Sequence, residues 1–411
     1  MKNKYLDNYA NLIVKFGVNI QPDQILVINT PIECADFARL IASKAYDVGA
    51  RDVVMNWRDE LSSKLRFEKA SDKVFEECPE WQKKFYNEYA QQGAAFVSLA
   101  AGDPELLKDI DPARISKSQK TLNTALMDYR ERLMNNENSW CVISMPTMSW
   151  AKKVFPDQDE QQAFDSLLKA ILKTVRADQD DVIGAWKTLK DEFAKRLDIL
   201  NGYKISKLHY TNSLGTDLSI GLNKNHLWLA ATEKTKQGIE FIANIPTEEI
   251  FTLPDRKKVN GVVYSSKPLN YNGNIIDEFK LVFKDGKVVD FSAKKGADVL
   301  KHLLATDEGA AYLGEVALVP HDSPISNTNI LFYNTLFDEN ASCHLAFGKA
   351  YKSCLQEPLR SSGNKDDLVN AGVNDSLVHV DFMIGTDDLS IVAETIDGNE
   401  VVIFKNGNFV F

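Results

Sequence analysis

At 411 residues, with 44% hydrophobic and 10% aromatic composition, the chain is too long for one hydrophobic core and too apolar for disorder, so about two domains are expected. Its 48 Lys and Arg against 58 Asp and Glu leave a net charge of −10, which argues against a nucleic-acid partner and, more mildly, against an anionic membrane surface. No apolar run approaches the ~20 residues of a spanning helix. Five cysteines without a CxxC pattern indicate neither a disulfide framework nor a thiolate zinc site, so a reduced, cytoplasmic protein is the expectation.

The N-terminal twenty residues read as an amphipathic helix interrupted by Asp7 and Lys15, not as a signal peptide. Strands are expected at 25–28, 52–57, 94–100 and 140–145, with helices at 32–48, 76–91 and about 112–135 between them. That alternation predicts an α/β N-terminal domain, 1–200, with a mainly parallel sheet, closed by charged helices at about 158–176 and 179–199. From Tyr203 short strands dominate, at 208–210, 217–220, 238–243, 261–265 and 280–291, the last with an Asp285-Gly286 hairpin turn. Further turns fall at Asp397-Gly398 and Asn406-Gly407, and helices are expected at about 293–306 and 339–353. This half, 201–411, reads as an α+β domain with a mixed or antiparallel sheet.

The common short motifs are missing. No two glycines are spaced for GxGxxG, Ala350 spoils a P-loop at Gly348-Lys349, and neither GxSxG nor HExxH occurs. Polar residues in apolar surroundings are therefore the informative ones, and four places stand out.

In 245–254, prolines bracket Glu248 and Glu249; in an extended chain only one of the two faces a given cavity, and spacing does not say which. In 312–319, Glu315 interrupts an apolar β run, and a buried carboxylate must be paired, neutralised or metal-bound. In 340–351, small residues surround His344, and Tyr351 is placed on the same helical face about 10 Å along the axis. In 376–385, strand alternation puts His379 and Asp381 on one face. Each place alone has an ordinary structural reading as a solvated loop, a wet strand face or a packed core histidine. Together they offer a mixed N/O donor set without thiolate, suited to Zn²⁺, Co²⁺ or Mn²⁺. With one carboxylate shared, the set serves two metals and leaves room for water, which is hydrolytic chemistry. His209, His226, His302 and His321 read as structural or surface; His226 and Trp228 are placed as a possible pocket wall, and Cys343 as packing.

The segments IPTEEIFTLP, GEVALVP, NASCHLAFGKAY and SLVHVDFMIG, in this order, resemble the M29 family of thermophilic metalloaminopeptidases, the aminopeptidase T, aminopeptidase S and PepS group. The resemblance covers nearly the whole chain, including Gly215-Thr216-Asp217-Leu218. It implies metal ligands at Glu249, Glu315, His344, His379 and Asp381, with Tyr351 at or beside the metals. It also implies two divalent cations (Zn²⁺, Co²⁺ or Mn²⁺, with Mg²⁺ a further option) and removal of N-terminal residues from peptides with a free N-terminus. Homodimers enclosing a cavity complete the picture. In that reading Glu315 or Asp381 bridges the metals, Tyr351 stabilises the oxyanion, and Glu248 or Glu249 pairs with the substrate's α-amine. The rivals are another binuclear metallohydrolase, acting on amides or phosphoesters, and a non-catalytic metal- or peptide-binding protein.

Overall fold

The computed structural model describes residues 2–411. By its internal contacts the chain divides into two units: one comprises the chain up to Lys190 with Ala231–Thr247, the other Asp191–Ala230 with Glu248–Phe411. These are not two contiguous halves meeting at 200. Residues 231–247 return to the first unit, where Val142 N donates to Ala243 O (2.7 Å) and Ile245 N to Val142 O (3.0 Å). The return depends on pairing across about a hundred residues, which no local signal encodes.

In the first unit, Ile25–Pro31, Asp52–Arg58, Ala95–Leu99 and Trp140–Ile143 form a four-stranded parallel sheet, in the order second, first, third, fourth. Ile25–Pro31 is buried along its whole length, as a central parallel strand must be, and its first four residues read as an apolar run. The helix Ala35–Asp47 follows it and ends just before Gly49, which sits at φ +97°. The expected helix at 112–135 is two, Pro112–Ala125 and Met127–Met134. Helices at Glu60–Lys69 and Met148–Val154 were not expected, although both carry a capping signal: Asp59 accepts from Leu61 N and Ser62 N, and Thr147 from Trp150 N.

In the second unit, a nine-stranded sheet includes the hairpin Asn274–Lys284 and Lys287–Lys295. Asp285 and Gly286 turn it at φ +50° and +85°, and a Cβ on Gly286 would lie 1.8 Å from Arg256 O. The second strand of this hairpin runs to Lys295, so the helix expected from 293 starts only at Ala297, after Gly296 at φ +75°.

A separate five-stranded sheet holds the candidate site. Its order is His379–Met383, His344–Gly348, Leu313–Leu318, Ile250–Thr252 and Leu229–Ala230, and every pairing is antiparallel. The helix expected over 339–353 is absent: Glu339–Ala341 make one 3₁₀ turn, and His344–Gly348 is a strand with a partner on each side. All five of its residues are buried, and a short apolar run of this kind carries no periodicity that separates strand from helix.

Candidate metal centre

Strand register assembles the site. Ala346 faces Glu315 on one side and Asp381 on the other; Gly348 faces His379, and His344 faces Ala317. Residues two apart on a strand share a face, so His344, Ala346 and Gly348 point the same way as Glu315, His379 and Asp381. The central strand thus places two small residues between the flanking polar groups, which leaves space above the sheet for them to lean together. Phe251 faces Ala317 on the next strand, and carrying the alternation back from Ile250 puts Glu249, not Glu248, on this face.

Close approach of the backbones is needed as well. Gly314 lies where the register shifts between Leu313 and Glu315, and a Cβ there would be 2.3 Å from Gly348 O. Gly348 itself sits at φ +91°, with its would-be Cβ 2.1 Å from Val378 O.

The side chains converge in two groups. Ligand atoms of Glu249, Glu315 and His344 lie within 4.8 Å of one another, as do those of Glu315, His379 and Asp381. Glu315 is common to both: its Oε1 is 3.5 Å from His344 Nε2 and its Oε2 is 3.5 Å from His379 Nε2. His344 Nε2 is also 3.2 Å from Glu249 Oε2, and His379 Nε2 is 3.4 Å from Asp381 Oδ1. The far side of each imidazole meets backbone carbonyls. His344 Nδ1 is 3.0 Å from Glu339 O and 3.1 Å from Ser342 O, and His379 Nδ1 is 2.7 Å from Lys349 O. A carbonyl only accepts, so Nδ1 carries the hydrogen in both rings and Nε2 of the neutral ring offers its lone pair to the centre.

The electrostatics are those of a site short of positive charge. Burial raises the Glu315 carboxyl, and the two histidines only partly offset it. Burial tends to raise Asp381 too, but His379 and His344 outweigh it and hold it below its usual range. Both histidines are lowered by burial and raised further by the carboxylates around them: His344 rises well above its usual value, and His379 to about 9. The strongest charges on these groups are one another. A divalent cation in each group would replace the protons that now neutralise them, so the donor set fits metal ions.

Of the other sequence candidates, Tyr351 follows the central strand with its ring centroid 4.4 Å from that of His379. Burial, then Glu315 and Asp381, raise its hydroxyl well above the usual range, so it stays protonated. Glu248 is buried, its N donating to Asn340 Oδ1 (2.8 Å), but it belongs to neither ligand group. Cys343 is no helical neighbour of His344; its thiol donates to Val319 O and accepts from Val319 N, in the core. Trp228 is 1% exposed, a core residue. Sequence reasoning missed Glu339. Its carboxyl is raised well above its usual value by burial and then by Asp381 and Glu249, which places it in the field of the centre. The signal was an acidic residue five positions before His344, hidden in a polar Asp-Glu-Asn run.

Two triads of N and O donors, one buried and one half-buried, joined by one carboxylate are the equipment of a metallohydrolase. Comparison with known proteins narrows the class. The model of the thermophilic metalloprotease (M29) family matches residues 2–409, and the chain belongs to that family. Aminopeptidase 2 of Geobacillus stearothermophilus is 50% identical over 408 residues, covering 99% of this chain and 98% of the relative. Aminopeptidase AmpS of Bacillus subtilis is 47% identical over 406 residues, with 99% and 98% covered. Among solved structures, wild-type AmpT from Thermus thermophilus superposes with a TM-score of 0.93 at 34% identity over 100% of both chains. With this family and these relatives, the chain is a metalloaminopeptidase, a hydrolase.

Proposed function

We propose that this chain removes N-terminal residues from peptides at a centre of two divalent cations, one held by Glu249, Glu315 and His344 and the other by Glu315, His379 and Asp381. The sharing of Glu315 between the two groups carries this reading and favours Glu315 over Asp381 as the bridge. When bound, such ions polarise a carbonyl and bring the pKa of water near neutrality.

The chain's own residues supply the rest. His344 and His379 hold their Nε2 lone pairs inward because their Nδ1 hydrogens are committed to carbonyls. Tyr351, kept protonated, donates a hydrogen bond to the scissile carbonyl oxygen as it gains charge. A carboxylate of the centre takes a proton from the attacking water and passes it to the amine nitrogen as the C–N bond breaks. Backbone amides are chemically alike, so selectivity needs a second handle, which a free α-amine would supply as a ligand to one of the two cations.

Zn²⁺, Co²⁺ or Mn²⁺ suits a donor set of imidazole and carboxylate; Mg²⁺ is the weaker fit because it prefers oxygen. The homodimer and the cytoplasmic setting belong to the same proposal. Five free cysteines are compatible with a reducing compartment, and among the described residues no helix is long and apolar enough to cross a membrane.

A matched pair of peptides, one free and one N-acetylated, tests the reading. Mass spectrometry of the products is expected to show stepwise loss of single residues from the free peptide alone. Comparable cleavage of the acetylated peptide, or internal cuts, would contradict it.

A further inference from the structure

We infer that Asn374 is a positioning residue for the Glu315–His379–Asp381 half of the centre, acting through the backbone of 348–350; the inference rests on the two-cation reading. Asn374 is 1% exposed and lies outside both ligand groups. Its Nδ2 donates to Gly348 O (2.6 Å) and Gly309 O (2.8 Å), with Tyr312 O at 3.4 Å, and its own backbone O accepts from Ala350 N (3.0 Å). One residue therefore grips the segment at Gly348 and again at Ala350. Between these points lies Lys349, whose N donates to Val378 O (2.7 Å) and whose O receives His379 Nδ1 (2.7 Å). Immediately after them comes Tyr351, whose ring packs on that of His379 at 4.4 Å.

The grip is needed because the segment is not regular strand. Gly348 turns out of the sheet at φ +91°, so continued ladder bonds do not fix the direction of the Lys349 carbonyl. Without the Asn374 donors, Gly348 O and Gly309 O lose a buried partner, and the carbonyl that sets the His379 tautomer is free to swing. The other half of the centre has its own support, since His344 Nδ1 is held by Glu339 O and Ser342 O. Asn374 should thus affect one cation and not the other, which a merely structural residue would not do.

The test uses Asn374→Asp, nearly isosteric but without the amide donors, and Asn374→Ser. Metal-free protein is titrated with Co²⁺ by calorimetry, and the histidine rings are followed by ¹⁵N NMR without metal. Both variants are expected to bind one Co²⁺ with wild-type affinity and the second at least ~10-fold more weakly, the scale known for residues that orient ligands. The His379 Nδ1 hydrogen should exchange faster than in wild type while that of His344 is unchanged. Equal weakening of both ions, wild-type binding of both, an unchanged His379 signal or global unfolding of both variants would overturn the inference. If wild type itself binds a single Co²⁺, the two-cation reading fails on its own, and the His379 signal still decides the role of Asn374.

Discussion

Because Glu315 turns one oxygen toward each histidine, replacing it by Gln removes a charge that both ligand groups use while keeping the shape of the side chain. Glu315→Gln is expected to weaken both cations by at least ~10–100-fold, and His379→Ala only one of them. Equilibrium dialysis with Co²⁺ distinguishes the two patterns, and wild-type affinity in either variant would remove that residue from the centre. The histidines also set a pH dependence. Burial lowers His379, but Asp381 and Glu315 together lift it to about 9 in the metal-free protein. A cation needs the neutral ring, so below that pH it must displace a proton. Affinity should fall about tenfold per pH unit for each proton displaced as pH drops from 9 toward 6, and level off above 9. Calorimetry in buffers of different ionisation heat counts the released protons; an affinity flat across this range would contradict the assignment of the imidazole as ligand. Glu339 shows where single-residue reading stops. Asp338, Glu339 and Asn340 look like a solvated polar run, yet they are 2%, 8% and 0% exposed. Their burial follows from the sheet they dock against, which a local window does not contain.

At the scale of elements, the strand His344–Gly348 of the site sheet depends on two glycines, its own Gly348 and Gly314 on the neighbouring strand. Gly348→Ala would place a Cβ 2.1 Å from Val378 O at a positive φ, and a loss of roughly 2–4 kcal/mol in urea unfolding is expected. Gly398→Ala is the control: it sits at φ +80° in a hairpin turn with nothing within 4 Å of the added carbon, so only the backbone strain of about 1–2 kcal/mol applies. Equal losses in the two variants would show that close packing at Gly348 is not a distinct requirement. The same strand marks the limit of what local pattern reveals. The run at 25–28 was legible as a strand because β-branched residues dominate it, the run at 313–318 because apolar residues flank Glu315, and the Asp285-Gly286 turn because its glycine has a specific conformational task. Asn340 to Tyr351 contains three alanines, which favours a helical reading, but pairing on both edges decides in favour of strand. The helical reading placed His344 and Tyr351 on one stripe; the sheet instead gives His344 a place in the ligand row and puts Tyr351 beyond the strand, against His379. The polar residues themselves were legible without the right element, since a His or a carboxylate in an apolar run has to be explained in either conformation.

Across the whole molecule, the parallel sheet of the first unit and the antiparallel sheets of the second follow from alternation and turn signals, whereas the return of 231–247 to the first unit does not. That segment earns its place by long-range pairing at Val142, and no residue in it announces the fact. Surface ion pairs such as Lys4 with Asp180 are each worth little. The carboxylates of the centre differ in kind, being buried or, at Asp381, half-buried, mutually repelling and neutralised by only two histidines. This imbalance is the physical basis for assigning divalent cations, and it makes metal dependence the central claim. The direct measurement is a titration of verified metal-free protein with Co²⁺ while the hydrolysis of an aminoacyl amide is followed. No turnover is expected without metal, with activity rising to a break at two ions per chain; full turnover of the metal-free protein, or a break at one ion, would contradict the account.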